Sequence, residues 1–499
     1  MTQHIATGAL WMVLAKLLEK SLGLISSLFL VRLLDPADFG IVAMAMSLIA
    51  LLELFSAFGL DSVLIQQRAA TAVHFHTAWT LNVLAACVVG ALLVALAVPA
   101  SAFYNEPRLV PVICIFALAS AVQGFENIGV VMFRKDLQFD REFRYLLAKK
   151  MMGFLVTVPL AFWLRDFWAL VYGMLVSRFA IVAWSFAVHP FRPRFALAHA
   201  GQLMHFSKWL VVQNALVFLR ERAASFVIGR YSGPTALGVF TISAEIASLP
   251  GTELVAPINR GILPAYSRLA GDPAALGREF LSVMSGIALL AVPAVAGVAL
   301  AAPFIVPAML GPKWAPAIPL LEILAFAGIT HVLQSNSYAA FIALGRPGTY
   351  AKIQMFHVGV LLVMLAVLVP QYGAHGAAWA YLVAALAALP VNFHFIVRAL
   401  GLAPASLLPP LWRPLAGAAL MYGAGKLWGP AAPAAFASSA EAILPLLACI
   451  ALGAAVYVAA DLLLWLASGR PAGAETWLLR LAKAAILSLR ARLSSARSA

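Results

Sequence analysis

Charge is what this chain has least of. Of its 499 residues 11% are charged and 63% apolar, and the mean hydropathy is +0.94. A soluble domain carries about 25% charged residues, so that class is excluded. Cysteine is nearly missing as well. Cys87, Cys114 and Cys449 fall inside apolar stretches with no zinc or redox spacing, which excludes a disulfide framework and a cysteine metal site. No G-x-x-x-x-G-K-[ST] phosphate loop and no H-E-x-x-H helix occurs, so nucleotide hydrolysis of that kind and zinc proteolysis are excluded too. No outward loop is long enough to hold a glycosyl-transfer site. Neither a metal nor an organic cofactor is expected.

Long apolar runs fill the space these absences leave. Fourteen candidate spans lie at 9–31, 39–60, 78–98, 110–132, 147–164, 167–188, 208–229, 238–263, 281–303, 319–344, 352–369, 375–397, 408–428 and 441–466. Each approaches the roughly 20 helical residues that cross a bilayer about 30 Å thick. The first run is too long for the core of a cleavable signal peptide and carries Lys16, Glu19 and Lys20, so no such peptide is expected. Between spans, the segment Arg134–Leu147 reads as an interfacial amphipathic helix, and 189–207 as a linker containing His189-Pro-Phe-Arg-Pro-Arg194. The basic tail after about residue 467 reads as a second surface helix. Spans 13 and 14 are rich in Ala, Gly and Pro and nearly free of polar residues, which suits peripheral packing.

The net charge of +14 is distributed by side. With the N-terminus placed inside, the even-numbered loops and the tail hold 23 Lys and Arg residues, Lys150 and Arg413 counted as loop charge among them, and the odd-numbered loops hold 6. This asymmetry is the positive-inside pattern. It puts both termini in the cytoplasm and explains the basic excess without nucleic acid.

Two segments 198 positions apart match. Arg32-Leu-Leu-Asp-Pro36-Ala-Asp-Phe-Gly40 precedes span 2, and Arg230-Tyr-Ser-Gly-Pro234-Thr-Ala-Leu-Gly238 precedes span 8. Both are R-x3-P-x3-G. The same offset carries Gly59-Leu-Asp61 onto Pro257-Ile-Asn259. Related halves imply a pseudo-symmetry axis, which in transporters commonly passes through the substrate site. The expected organisation is an all-α integral membrane protein of about 14 transmembrane helices, in two pseudo-symmetric six-helix lobes (1–188 and 208–400) joined by the linker 189–207. Helices 13 and 14 are appended in 401–467, and 468–499 forms the cytoplasmic tail.

Ionisable residues inside a bilayer are costly and mark functional sites. Lys16, Glu19 and Lys20 share one face of span 1 at i, i+3, i+4 spacing, and Glu19 neutralises one lysine. The corresponding span 7 carries Arg220-Glu221-Arg222. Its two arginines point about 200° apart, so one faces a given cavity and the other needs a neighbouring acid such as Glu221. Arg178 lies alone in span 6. Acids stand at Glu53 in span 2 and at Glu245 and Glu253 in span 8, flanking Pro250-Gly251, where a broken helix is expected. Gln123, Glu126 and Asn127 in span 4, and His331, Gln334 and Ser335 in span 10, each read as a one-face patch for interhelical hydrogen bonds. Lys16, Lys20, Arg178, Arg220 and Arg222 make a cationic cavity suited to a phosphorylated head group, with the lipid tail left in the bilayer. Glu53, Glu245 and Glu253 are the candidate carriers of a coupling proton or sodium ion, because no nucleotide motif supplies energy.

The segment Arg32–Gly40, followed by Phe58-Gly-Leu-Asp-Ser-Val-Leu-Ile-Gln66 and Thr77-Ala-Trp-Thr-Leu-Asn82, resembles the polysaccharide-transporter branch of the MOP (multidrug, oligosaccharidyl-lipid, polysaccharide) flippase superfamily. The nearest type is the Wzx-like exporter of lipopolysaccharide and exopolysaccharide repeat units. That resemblance implies a MATE-like pair of six-helix lobes, alternating access and proton or sodium coupling. It also implies an undecaprenyl-diphosphate-linked oligosaccharide as cargo in the bacterial inner membrane, with other polysaccharide-assembly proteins as partners. A cation-coupled multidrug exporter of the same fold is an alternative that favours acidic and aromatic cavity residues. A membrane-bound polymerase or ligase is another, and needs a large outward loop.

Overall fold

The computed structural model describes residues 18–476 apart from 19, 24, 57–59, 67–70, 199, 202–207, 430–438 and 472. Lys16, Glu19 and the surface helix expected in the tail lie outside the described residues. Among the described residues every regular element is helical. Contacts gather into two compact units: residues 1–241 with 369–374, and residues 242–368 with 375–499.

The first unit opens with helical residues between 18 and 33 (α1), then α2 (Pro36–Ser56), α3 (Leu60–Gln66), α4 (Ala72–Tyr104) and α5 (Leu109–Gln123). Asp35 and Pro36 explain the entry to α2. Proline at the first helical position costs no hydrogen bond, and the Asp38 carboxylate caps the turn by accepting from the Asp35 amide at 2.8 Å. Span 4 departs from expectation. It stops at Gly124 and resumes through a 3-10 turn into α6 (Val131–Lys135), with a 60° bend. Gly124 backs onto the Asn82 carbonyl, and Asn127 accepts from the Gly129 amide at 2.9 Å, which stabilises the bent path. Gln123, Glu126 and Asn127 therefore do not share a helix face.

α7 (Phe139–Leu164) corrects a second expectation. The basic segment 134–147 is not a separate surface helix. Its second half is the start of α7, so one helix runs from the basic rim into the bilayer. Arg165, in a left-handed conformation (φ 54°), ends α7, and α8 (Trp168–Val188) follows at once. Spans 5 and 6 are thus separated by three residues, Arg165 to Phe167, one more than the sequence reading gave. α9 (Lys208–Pro250) is two helices meeting at Gly233, whose φ of 78° and ψ of −177° are accessible to glycine alone among common residues.

In the second unit a π turn over Gly251–Val255 leads into α10 (Ala256–Leu269), followed by α11 (Pro273–Ile305), α12 (Ala317–Gln334), α13 (Ser337–Ala343) and α14 (Pro347–Leu400). An unbroken helix of 54 residues would run about 80 Å, far beyond a bilayer. Gly373 (φ 58°, ψ −134°) divides α14 between the expected spans 11 and 12. α15 (Leu408–Trp428) and α16 (Ser439–Ala467) follow, with a helical turn at 474–476 beyond them. α11 is the core helix of this unit. Val292, Ala296 and Ala299 are buried along it, and α12, α15 and α16 pack around it.

Eight described helices are long and apolar enough to cross a membrane, nine if the bent α5–α6 pair is one span. Large apolar side chains point outward along them, with Trp163 82% and Leu444 76% exposed. In water that pattern would be an aggregation hazard, and in hydrocarbon it is the expected surface.

Candidate functional site: charged residues within the helix bundle

The repeated motif builds the packing next to the candidate site. A Cβ placed on Gly40 would collide with the Pro234 carbonyl oxygen, and one placed on Gly238 would collide with that of Pro36. The contact is reciprocal, as a local two-fold axis between α2 and the second part of α9 requires. Glycine is needed at both places because backbone meets backbone there. Around the contact, Arg230 Nη1 lies 2.7 Å from the Asn105 side-chain amide, whose oxygen accepts from it when the amide is turned toward the guanidinium, and Arg230 stands 5.9 Å from the Phe103 ring centre. Arg108 grips Glu106 through two nitrogens at 2.7 and 2.9 Å. That pairing holds the Glu106 carboxyl below the usual carboxylate range.

Further along α2, the Glu53 carboxylate interacts electrostatically with both Arg178 of α8 and Arg222 of α9. Three expected site residues from three spans are thus gathered in the first unit. Glu53 is exposed, and Arg178 and Arg222 are half-buried, so the group is not sealed within the protein. Two guanidiniums against one carboxylate leave a net positive charge, the condition for holding an anion.

Arg220 points elsewhere and pairs with Glu221 at 3.4 Å, as the 200° offset requires. Lys20 is exposed on α1. One turn beyond it, a Cβ on Gly23 would stand 3.4 Å from the Lys150 ammonium of α7. Lys150 is a residue the sequence reading missed, having assigned it to a loop. The usable signal was the Lys149-Lys150 pair. Lys149 is held by Glu126 at 3.0 Å beside Tyr145, and the 100° helical step turns Lys150 to another face.

The two weaker polar patches serve packing. Asn127 receives the Ser185 hydroxyl as an acceptor for its amide at 2.9 Å and donates to the Phe191 carbonyl at 2.8 Å, tying α8 and the linker to the bend. In span 10 the expectation fails in detail. Gln334 and Ser335 bond to their own helix, and the interhelical bonds come from the next residues, Asn336 to Tyr266 and Ser337 to Asn392 at 2.8 Å.

In the second unit, Glu245 and Glu253 flank Pro250-Gly251 as expected, but the helix is widened there and not broken. The π turn at Gly251–Val255 contains Glu253, which accepts from the Thr252 hydroxyl at 3.1 Å. π turns commonly mark functional positions. An apolar cavity of about 380 Å³ lies between α11, α15 and α16, lined by Leu300, Met421, Cys449 and Tyr457 among others.

A sequence profile for a family described as polysaccharide biosynthesis protein matches residues 29–319, more than half of the chain. The chain belongs to this family. The Wzx-like resemblance drawn from Arg32–Gly40 therefore holds. The lipopolysaccharide biosynthesis protein WzxC of Escherichia coli (strain K12) is 24% identical over 417 residues, 82% of this chain and 84% of that protein. The succinoglycan biosynthesis transport protein ExoT of Rhizobium meliloti (strain 1021) is 23% identical, over 64% of this chain and 65% of that one. Among solved structures, the Lipid II flippase MurJ in an inward closed conformation superposes with a TM-score of 0.73 at 11% identity, covering 92% of this chain and 99% of that one. The fold is thus that of a multi-pass MOP-type membrane protein.

Proposed function

We propose that this protein is a flippase that carries a lipid-linked oligosaccharide repeat unit across the bacterial inner membrane by alternating access. It is a transporter and not an enzyme. Family membership and the names of its relatives support polysaccharide export. The observation that carries the mechanism is the net-positive group of Arg178, Arg222 and Glu53 inside an otherwise apolar bundle.

In this reading the head group is an undecaprenyl diphosphate. Arg178 and Arg222 bind its phosphates, with Lys16 and Lys20 on span 1 and Lys150 beside it extending the positive surface. Arg220, held by Glu221, contributes at the rim. The apolar cavity between α11, α15 and α16 offers room for part of the isoprenoid chain. Twelve of the fourteen spans, six in each of the lobes 1–188 and 208–400, with both termini cytoplasmic, give the pseudo-symmetry that alternating access uses. Glu53, Glu245 and Glu253 carry the coupling proton or sodium ion, and the π turn lets Glu253 change exposure with little backbone cost.

The deciding experiment is a deletion strain assayed for repeat units stranded on the cytoplasmic leaflet. Unchanged outer-leaflet delivery would refute the flippase reading. Reporter fusions at Gly345 and Gly373 should report inside and outside respectively, and the same side for both would overturn the topology. In proteoliposomes with an imposed pH or sodium gradient, full gradient-dependent transport by both Glu245→Gln and Glu253→Gln would remove the coupling role.

A further inference from the structure

The two appended helices contain a charge cluster that the export reading does not use. Arg413 lies on α15, Asp461 on α16, and Glu475 in the helical turn 474–476 that follows. Spans 13 and 14 were expected to be nearly free of polar residues, and Arg413 was assigned to a loop. Instead Arg413, Asp461 and Glu475 are each at least 95% buried. The guanidinium of Arg413 makes both of its bonds to one carboxylate oxygen, Glu475 Oε1, at 2.8 Å from Nε and 2.7 Å from Nη2. Glu475 Oε2 and Asp461 Oδ1 are both buried with no hydrogen-bond partner among the described residues.

The charge count does not close. Asp461 interacts electrostatically with both Glu475 and Arg413, so one arginine serves two carboxylates in a sealed space, leaving a buried negative charge that is costly in a low-dielectric interior. Among the described residues, the other groups that face the cluster do not supply the missing charge. Tyr457, one turn before Asp461, donates its hydroxyl to the Leu289 carbonyl of α11 at 2.8 Å. Ser285 Oγ of α11 lines the same gap, left by the missing Cβ of Gly473, at 3.9 Å from that position, with Glu475 Oε2 at 2.9 Å and Arg413 Nη2 at 3.7 Å, and a neutral hydroxyl supplies no charge. No group of three or more metal-ligating side chains is present among the described residues. What the site lacks is one positive charge and one donor, and a proton is both.

We propose that Arg413, Asp461 and Glu475 form a buried proton-binding site, in which one bound proton balances the charge of the cluster and fastens the 473–476 turn to α11, α15 and α16. Asp461 holds the proton, since Glu475 is already matched by Arg413. Loss of the proton leaves two bare carboxylates in contact with one guanidinium and loosens the C-terminal turn.

The test uses the full chain in lipid nanodiscs, with Asp461→Asn as the mimic of a protonated aspartate. Infrared difference spectra of wild type minus this variant at about pH 5, above the ordinary carboxylate range, should show the C=O stretch of one protonated carboxyl. Thermal stability of wild type should weaken as pH is raised above the unfolded carboxylate value of about 4 and level off once the folded site has lost its proton, and the variant should lose most of that dependence while remaining as stable as wild type at low pH. No protonated-carboxyl band, or an unchanged pH dependence in the variant, overturns the proposal. Failure of Asp461→Asn to fold overturns it too, because it would show that the negative charge is required. Replacing choline with sodium at about pH 8 tests the nearest competitor. Sodium-dependent stabilisation seen in wild type and lost in Asp461→Asn would assign the site to a sodium ion instead. The export assay is not involved, so failure here leaves the flippase reading standing.

Discussion

Two arginine–acid clusters in this protein have similar parts and opposite surroundings. In the first unit, Arg178 and Arg222 face Glu53 with the carboxylate exposed and both guanidiniums half-buried. In the second, Arg413 faces Glu475 and Asp461 with all three sealed. The open cluster has a surplus of positive charge and can exchange partners with water or a passing anion at small cost. The sealed one has a surplus of negative charge and no solvent to absorb it, so it must hold a counter-charge of its own. Exposure, more than residue type, separates a site for a ligand from a fixed structural site.

The largest expected effect breaks this contrast directly. Arg413→Met removes one partner from a sealed group and should cost about 3–5 kcal/mol of stability. Arg222→Met, in the open group, should cost about 1 kcal/mol or less. Equal losses in thermal or denaturant unfolding of the two variants would end the distinction. Function should invert the order. Arg178→Gln and Arg222→Gln should each lower surface polysaccharide roughly 10- to 100-fold at unchanged membrane abundance, the equivalent of one or two charged hydrogen bonds. Degradation of these variants would instead mark the arginines as structural pairs.

A smaller effect tests the pseudo-symmetry on which the open site is built. Gly40→Ala and Gly238→Ala each drive a methyl group into a facing proline carbonyl, and should destabilise by about 1–3 kcal/mol. The two losses should be alike, measured by thermal unfolding. A large loss at one position alone would refute the reciprocal contact.

The smallest effect is pH-dependent. Arg108 holds the Glu106 carboxyl below its ordinary range, so the pair adds stability above the unfolded carboxylate value of about 4.3 that is lost as pH falls through the depressed folded value. The Arg108 side chain is 50% exposed, so screening limits the gain to under about 1 kcal/mol. Glu106→Gln should remove that acid limb from an unfolding titration, and an unchanged limb would assign it elsewhere.

Much of the fold was legible in the residues. Apolar run length marked the spans, and Arg165-Asp166 alone sufficed to separate two of them, because a left-handed residue ends a helix in one step. The R-x3-P-x3-G repeat announced a pseudo-symmetric pair whose glycines meet the other's prolines. Less legible was where a long helix widens or bends. Pro250-Gly251 read as a break and is a π turn, while Gly124 carried no special signal and is a 60° bend. Local sequence specifies that a backbone is weak, and its neighbours specify what the weakness becomes. Lys150 and Arg413 were misassigned for a related reason: basic residues near a span end were counted as loop charge, although one reaches α1 and the other lies buried in α15.

By itself the sequence determined the solvent of this protein, its all-helical class and its family, because each depends on summed composition and on short motifs that tolerate no displacement. Only the tertiary structure decided which charges meet. Arg178, Arg222 and Glu53 are 125, 44 and 169 positions apart in their pairings, and Arg413 is 62 positions from Glu475. The energy of a buried charge is set by the partners and the water within a few ångströms, and packing of distant helices, which no periodicity in one helix encodes, fixes both.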